Sequence, residues 1–420
     1  MWYNTRMIRR SIEAYLGQIA TEFPVVSVMG PRQSGKTTLV RAHFRNHAYL
    51  NLEDPAVRME AEMDGSAFFR NHPAPLILDE VQNCPQLLSY IQVLVDADPH
   101  GKARYVLTGS HQPKLREGIV QSLAGRVGEV ELLPLSISEL RTAGVSLSRE
   151  EQIVKGFMPR LYAEKVSAAN LYANYFSTYV ERDVSKIINL KDRRQFEAFM
   201  RVLAGRVGQL LNCDSISAEI GVSAVTIKHW ISILEASYIV FTLPPYYRNY
   251  GKRFVKTPKV YFVETGLLAY LLGIREPGQV VRDPAFGGIF ENMVVAEVRK
   301  NRLNAGLRGD MYFIRDQNGR EIDLVVEEAR RLHLYEIKSG SEMSPSFARN
   351  IKSYREVLGA DLLSASIVYS GTSNRHLDPQ YVNFAEVDAN AGTTASSVTA
   401  SPGPRRSPSR AARAVSTPSG

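Results

Sequence analysis

The sequence predicts a multidomain α/β chain with a helical middle. Three observations point to this. From about Phe23 to Ala143, short apolar runs alternate with helical patterns. The first of those runs breaks into a glycine-rich loop carrying a lysine and threonines. After a mostly helical stretch between about Ser148 and Gly273, a second strand-rich region lies between about Gly288 and Phe384. These transitions divide the chain into an N-terminal helix at 1–22, an α/β domain at 23–147, a helical region at 148–274, a second α/β domain at 283–388 and a tail at 389–420.

The N-terminus, "MWYNTRMIRRSIEAYLGQIA", lacks the apolar centre of a signal peptide and reads as a short amphipathic helix that packs on the next domain. That domain opens with "VVSVMGPRQSGKTTLV". Val25–Met29 is short, β-branched and apolar, as in a strand buried on both faces. Gly30 to Thr37 fits the spacing G-x-x-x-x-G-K-[ST] of a phosphate-binding P-loop. Glycines at those places let backbone N–H groups turn onto phosphate oxygens. Gly30, Pro31, Arg32, Gln33, Ser34, Gly35, Lys36, Thr37 and Thr38 therefore form the candidate ATP-binding set. Lys36 would place its charge on the β- and γ-phosphates, and Thr37 would offer a hydroxyl to Mg²⁺. "TTLVRAHF" reads as the helix whose N-terminus receives the anion.

The following apolar runs are "AYLNLE", "PLILDE", "RYVLTGS" and "EVELLPL", which suits a parallel sheet. "PLILDE" puts Asp79 and Glu80 at a strand's carboxyl end, where open α/β sheets bind ligands. Asp79 suits Mg²⁺ held through water, and Glu80 suits a general base for the attacking water. Strand ends also carry acids that are merely solvated. Thr108 or Ser110 could sense a γ-phosphate or belong to a plain turn. Arg126 could reach a neighbouring subunit's γ-phosphate in a homo-oligomer, or make a surface salt bridge.

In the helical region, "AANLYANYFSTYVERDVSKIINL" is a long amphipathic candidate. "DSISAEIGVSAVTIKHWISILEASYIVFTLPPY" reads as a helix-turn-helix. Ser215 to Ile220 makes the first helix, Gly221 the turn, and Ser223 caps the second. Ile227, Trp230, Ile231 and Leu234 form its apolar stripe, leaving Thr226, Lys228, His229 and Ser232 outside. A hairpin wing could follow with Arg248, Lys252, Arg253, Lys256 and Lys259. Such a winged helix suits DNA, though many pack on protein neighbours.

Composition bounds these readings. The 420 residues are 44% hydrophobic, enough for buried cores, and the formal charge of +8 permits nucleic acid as a partner. Two cysteines far apart, Cys84 and Cys213, give neither zinc spacing nor a disulfide framework, as expected of a cytoplasmic protein. No apolar run spans a bilayer, so no membrane partner is expected. The tail is small, polar and basic, and reads as disordered.

The last domain contributes "FENMVVAEV", "REIDLVVEE" and "LYEIKSG". Strand alternation puts Ile322, Leu324 and Val326 on one face and Glu321, Asp323 and Val325 on the other. Leu334, Glu336 and Lys338 share a face in the neighbouring strand. Adjacent strands would bring Asp323, Glu336 and Lys338 together, and Glu291 would add a carboxylate from the preceding helix. Hard divalent cations take such oxygen ligands, and phosphodiester cleavage uses such metals.

Taken with "LILDEVQ", "SLAGRVGEVELLPLSISEL", "YVERDV" and "KRFVKTPKVYFVETGLLAYLLGI", these motifs resemble a bacterial and archaeal family of AAA-type ATPases. Members carry a C-terminal domain of unknown function with a restriction-endonuclease-like fold. The resemblance implies ATP binding and hydrolysis. It also implies a PD-(D/E)xK nuclease-like core, with Asp323 and Glu336 as metal ligands, Lys338 as the lysine and Glu291 as the helix acid. Ile322 stands where that pattern has proline. Two functions follow as expectations: an ATPase coupled to a nuclease acting on DNA, or a non-cleaving ATP-dependent switch that binds DNA or protein. A small-molecule kinase would leave most of the chain without a role.

Overall fold

All five residues of β1 (Val25–Met29) are buried, because the strand lies inside a sheet covered on both faces. A computed structural model describes residues 7–98, 100–110, 119, 121–178, 193–246, 255–307 and 309–387. The stretch 179–184, Arg248, Lys252, Arg253 and the tail lie outside the described residues.

The first sheet adds β2 (Ala48–Asn51), β3 (Leu76–Asp79), β4 (Tyr105–Gly109) and β5 (Val127–Glu131) in the order β2-β3-β4-β1-β5. Every pairing is parallel, as the alternation of strands and helices predicts. Val26 and Val28 face a core that includes Ile12, Leu16 and Ile19, from and just before the helix Glu13–Glu22. Val25 and Met29 face the opposite core with Leu76, Leu78, Leu88 and Ile91.

Two helices, Cys213–Ile220 and Ala224–Ala236, meet across a turn at Gly221. Ser223 accepts from Thr226 N and caps the second helix. Ile227, Trp230, Ile231 and Leu234 are buried, while Lys228, His229 and Ser232 are exposed. The antiparallel pair β6 (Val240–Leu243) and β7 (Lys259–Phe262) follows.

The last region opens with a long helix, Phe286–Asn304, and a mixed sheet of β8 (Met311–Arg315), β9 (Glu321–Glu328), β10 (Arg331–Ile337), β11 (Leu362–Tyr369) and β12 (Gln380–Asn383). Its order is β12-β11-β10-β9-β8. One face packs on the long helix and shares a core with the middle of the chain. The other packs on the helix Arg349–Leu358. The long helix also grips the first domain. Glu297 Oε1 accepts from Ile137 N (2.8 Å), Lys300 Nζ donates to Leu135 O (2.9 Å) and Arg299 Nη2 donates to Glu131 Oε1 (3.0 Å).

Strand β9 departs from plain alternation. Between the pairs Ile314↔Ile322 and Tyr312↔Val325 it holds one more residue than β8, so it bulges. Ile322 and Val325 consequently enter one core, and Leu324 and Val326 the other. The expected grouping of Ile322 with Leu324 and Val326 is therefore wrong: the extra residue moves Ile322 to the opposite face.

Candidate functional site

The P-loop closes tightly over the end of β1. A Cβ built on Gly30 would lie 2.1 Å from Leu132 O, so only glycine fits there. Gly35 has φ 93°, a conformation that glycine adopts without strain, and it starts the helix Lys36–His43. Lys36 is buried, and its Nζ donates to Gly30 O (3.1 Å) and Pro31 O (2.9 Å). Burial holds its pKa below the usual amine value, against the pull of Glu80 and Asp79.

Asp79 sits beneath the loop. It accepts from Thr37 Oγ1 (2.8 Å), Tyr49 OH (2.7 Å) and the Thr108 hydroxyl. Burial, then the hydrogen bond to Asp79, raises the Tyr49 pKa. Glu80 adopts a left-handed backbone, φ 56° and ψ 49°, a strained conformation of the kind found at functional sites. Its carboxylate accepts from the Gln82 side-chain amide, which also reaches Ser110 Oγ (3.2 Å). Lys36, Thr37 and Glu80 open onto one cleft of about 660 Å³. Its apolar wall includes Ile8, Leu39, Ala42, Pro159 and Ala163.

Three supporting residues escaped the sequence reading. Arg10 is buried and donates to Ser34 O (2.8 Å), Leu133 O (2.7 Å) and Glu139 Oε1 (3.1 Å), tying the N-terminal segment to the loop. Tyr49 and Gln82 hold the two acids. Gln82 lies two residues from Glu80 and was within sight; the other two partners are distant in sequence. Thr108 turns to Asp79, and Arg126 is clamped by Asp96 through Nε–Oδ1 (2.5 Å) and Nη2–Oδ2 (2.9 Å).

A second cluster forms where the long helix, β7 and the bulge in β9 meet. One carboxylate oxygen each of Glu291, Glu321 and Asp323 lie within 4.8 Å of one another. Asp323 Oδ2 accepts from Ile337 N (2.7 Å), beyond the last β9–β10 pair, Tyr335↔Leu324. Lys338 Nζ lies 2.8 Å from Glu336 Oε1 and 3.7 Å from Asp323 Oδ2. The four residues picked out from the sequence, Glu291, Asp323, Glu336 and Lys338, thus gather in one place. Burial, then the Asp323 charge, pushes Glu291 and Glu336 each up to about 7.

Glu321 and Lys259 were not expected in this cluster. Lys259 stands in β7 with 2% of its side chain exposed. Its Nζ is 2.6 Å from Glu291 Oε1 and 2.6 Å from Glu321 Oε1. Burial alone would lower its pKa, but Glu291, Asp323 and Glu321 outweigh it and raise it. Lys259 is therefore not an exposed wing cation; the acids draw it inward. Tyr261 OH donates to Glu291 Oε1 (2.6 Å), and Arg315 Nη1 to Glu321 Oε2 (3.1 Å).

The parallel sheet, its glycine-lysine loop and the acid pair at the end of β3 define an AAA-type P-loop ATPase domain. Residues 22–141 match the family described as "AAA domain". Residues 147–278 and 286–387 each match a "Domain of unknown function", DUF8612 and DUF4143. Uncharacterized proteins of Mycobacterium tuberculosis and Mycobacterium bovis are each 31% identical over 369 residues, covering 86% of this chain and 80% of theirs. The chain belongs to the same family as these mycobacterial proteins. An uncharacterized Haemophilus influenzae protein is 24% identical over 76% of this chain and 84% of its own. Among solved structures, a Walker-type ATPase of Pyrococcus abyssi is 14% identical, with a TM-score of 0.40, covering 64% of this chain and 97% of that one. Among the described residues, no helix is long and apolar enough to cross a membrane.

Proposed function

We propose that the chain hydrolyses ATP with magnesium and passes its nucleotide state to a DNA-binding, nuclease-like second half. The observation that carries the first part is the Thr37–Asp79 pair under the loop, with Lys36 and Glu80 opening onto one cleft. An arriving triphosphate replaces neutral carbonyls as the partner of the Lys36 ammonium, a stronger charge-assisted contact. Thr37 and Asp79 supply hard oxygen donors that fit Mg²⁺, which would neutralise phosphate charge when bound. Glu80 polarises the attacking water as general base. The apolar wall at Leu39, Ala42, Pro159 and Ala163 suits the adenine ring. Arg126 leaves Asp96 to reach a neighbour's γ-phosphate in a homo-oligomer.

For the second half, the helix Ala224–Ala236 with its exposed Lys228 and His229 is the DNA-facing element of a winged helix, assisted by exposed Lys256. Asp323, Glu336 and Lys338 act as a PD-(D/E)xK site. A non-cleaving switch is the second reading, favoured by the position of Lys259 among the acids.

Two measurements test these parts separately. Phosphate release from ATP should require Mg²⁺ and fall on the order of a hundredfold or more in Glu80→Gln while ATP still binds; undiminished turnover would remove Glu80 as the base. Supercoiled DNA with Mn²⁺ and ATP should be nicked by the wild-type chain and not by Asp323→Ala, which keeps ATP binding. Equal nicking by both would reject the nuclease-like site, and no nicking by either would leave the switch.

A further inference from the structure

A lysine is an odd occupant for a cluster of metal-type ligands. Three carboxylates with oxygens within 4.8 Å of one another form a donor set for a divalent cation. Here an ammonium already bridges two of them at 2.6 Å each. It comes from a different part of the chain: β7 lies in the middle region, and its partner β6 pairs Leu243 with Lys259. The acids come from the long helix and β9.

The surroundings hold the ammonium where it is. Lys259 is buried against Phe313 and Tyr261, with its Nζ 5.7 Å and 6.0 Å from the two ring centres. Tyr261 donates to the same Glu291 oxygen that Lys259 grips. Arg315 takes the second oxygen of Glu321. At the edge of the cluster, Glu336 Oε2 is buried with no hydrogen-bond partner among the described residues, although Lys338 and Asn350 hold Oε1. The set has the ligand chemistry of a metal site but not the room for the metal.

We infer that Lys259 is the resident cation of the C-terminal acidic cluster, and that it excludes a divalent metal from Glu291, Glu321 and Asp323 while β7 stays docked. A divalent ion bound to the same oxygens would sit about 4 Å from the buried ammonium, where like charges repel strongly in a dry site. Metal entry therefore requires the Lys259 side chain to leave. The middle region thereby controls what the last domain binds. This inference does not depend on DNA being the substrate, and its test reads metal binding rather than cleavage.

The test is calorimetric titration of the nucleotide-free full chain with MnCl₂. The wild-type chain should show no Mn²⁺ binding that Glu291→Gln removes. Lys259→Met should create a site at least tenfold tighter, and Lys259→Met with Glu291→Gln should lose it again. A wild-type site that Glu291→Gln abolishes overturns the inference, as does a folded Lys259→Met chain that binds Mn²⁺ no better than wild type. If Lys259→Met does not fold, the wild-type and Glu291→Gln titrations decide alone: a saturable wild-type site lost in Glu291→Gln refutes exclusion, and its absence upholds it. Lys259→Arg, which keeps the charge, should remain closed to Mn²⁺.

Discussion

Among the described residues three lysines are buried, and two of them, Lys36 and Lys259, stand in opposite settings. Lys36 rests on two backbone carbonyls, which are neutral, and burial depresses its pKa. Lys259 rests on two carboxylates, which raise its pKa despite similar burial. The first ammonium has weak partners that a phosphate readily replaces. The second is already neutralised by acids that no incoming anion can outbid at close range. A buried lysine thus marks a ligand site when its partners are uncharged, and a structural clasp when they are anionic.

Exchanging each lysine for a neutral residue should break this comparison cleanly. Lys36→Ala should lose ATP affinity on the order of a hundredfold, with turnover abolished and the circular dichroism spectrum unchanged. Unaltered affinity would mean that the loop does not hold the phosphates. Lys259→Met should do the reverse, leaving ATP affinity near wild type while destabilising the last domain by about 3–5 kcal/mol, the cost of a buried acid pair stripped of its counter-ion. Urea unfolding reads this, and adding Mn²⁺ should recover part of the loss. A stability within about 1 kcal/mol of wild type would show that the pair is not buried as described.

A smaller effect concerns Arg126, whose partner in the single chain is Asp96. Arg126→Ala should lower turnover without changing ATP affinity, and wild-type specific activity should rise with protein concentration. Turnover independent of concentration would leave Arg126 with its ion pair alone.

The smallest effect separates the acid cluster from ordinary titration elsewhere in the same sheet. His333 is buried in β10 between Ser364 Oγ (2.7 Å) and Glu328 Oε2 (3.1 Å). Burial depresses its pKa below 6.5, against the opposing pull of Glu328. The unfolded chain then binds more protons than the folded one just below that value. Stability present above pH 6.5 is therefore lost as pH falls below it. His333→Gln should flatten that part of the stability profile; an unchanged slope would assign it to the carboxylates.

The five strands of the first sheet and the loop were legible in the sequence because each rests on local pattern: period, glycine spacing, and an acid at a strand end. Glu291, Asp323, Glu336 and Lys338 were legible as a set because helix acid, strand acid and E-x-K follow in order. Lys259 was not. Its place depends on β7 docking against an acid 32 residues later and another 62 residues later, which no local spacing encodes. The β9 bulge was hidden for a similar reason. An extra residue is defined only against the partner strand, so period-2 reading placed Ile322 on the wrong face. Arg10 likewise depends on Glu139, 129 residues away.

The helix Phe286–Asn304 gives these two settings a common axle. At about 1.5 Å per residue its 19 residues extend about 28 Å. Glu291 rides near one end, and Glu297, Arg299 and Lys300 engage the strand exit beside the P-loop near the other. A rod fastened at both ends transmits load either way. If closing the loop on ATP tilts it, then anything that loads the far end must alter nucleotide affinity by the same factor.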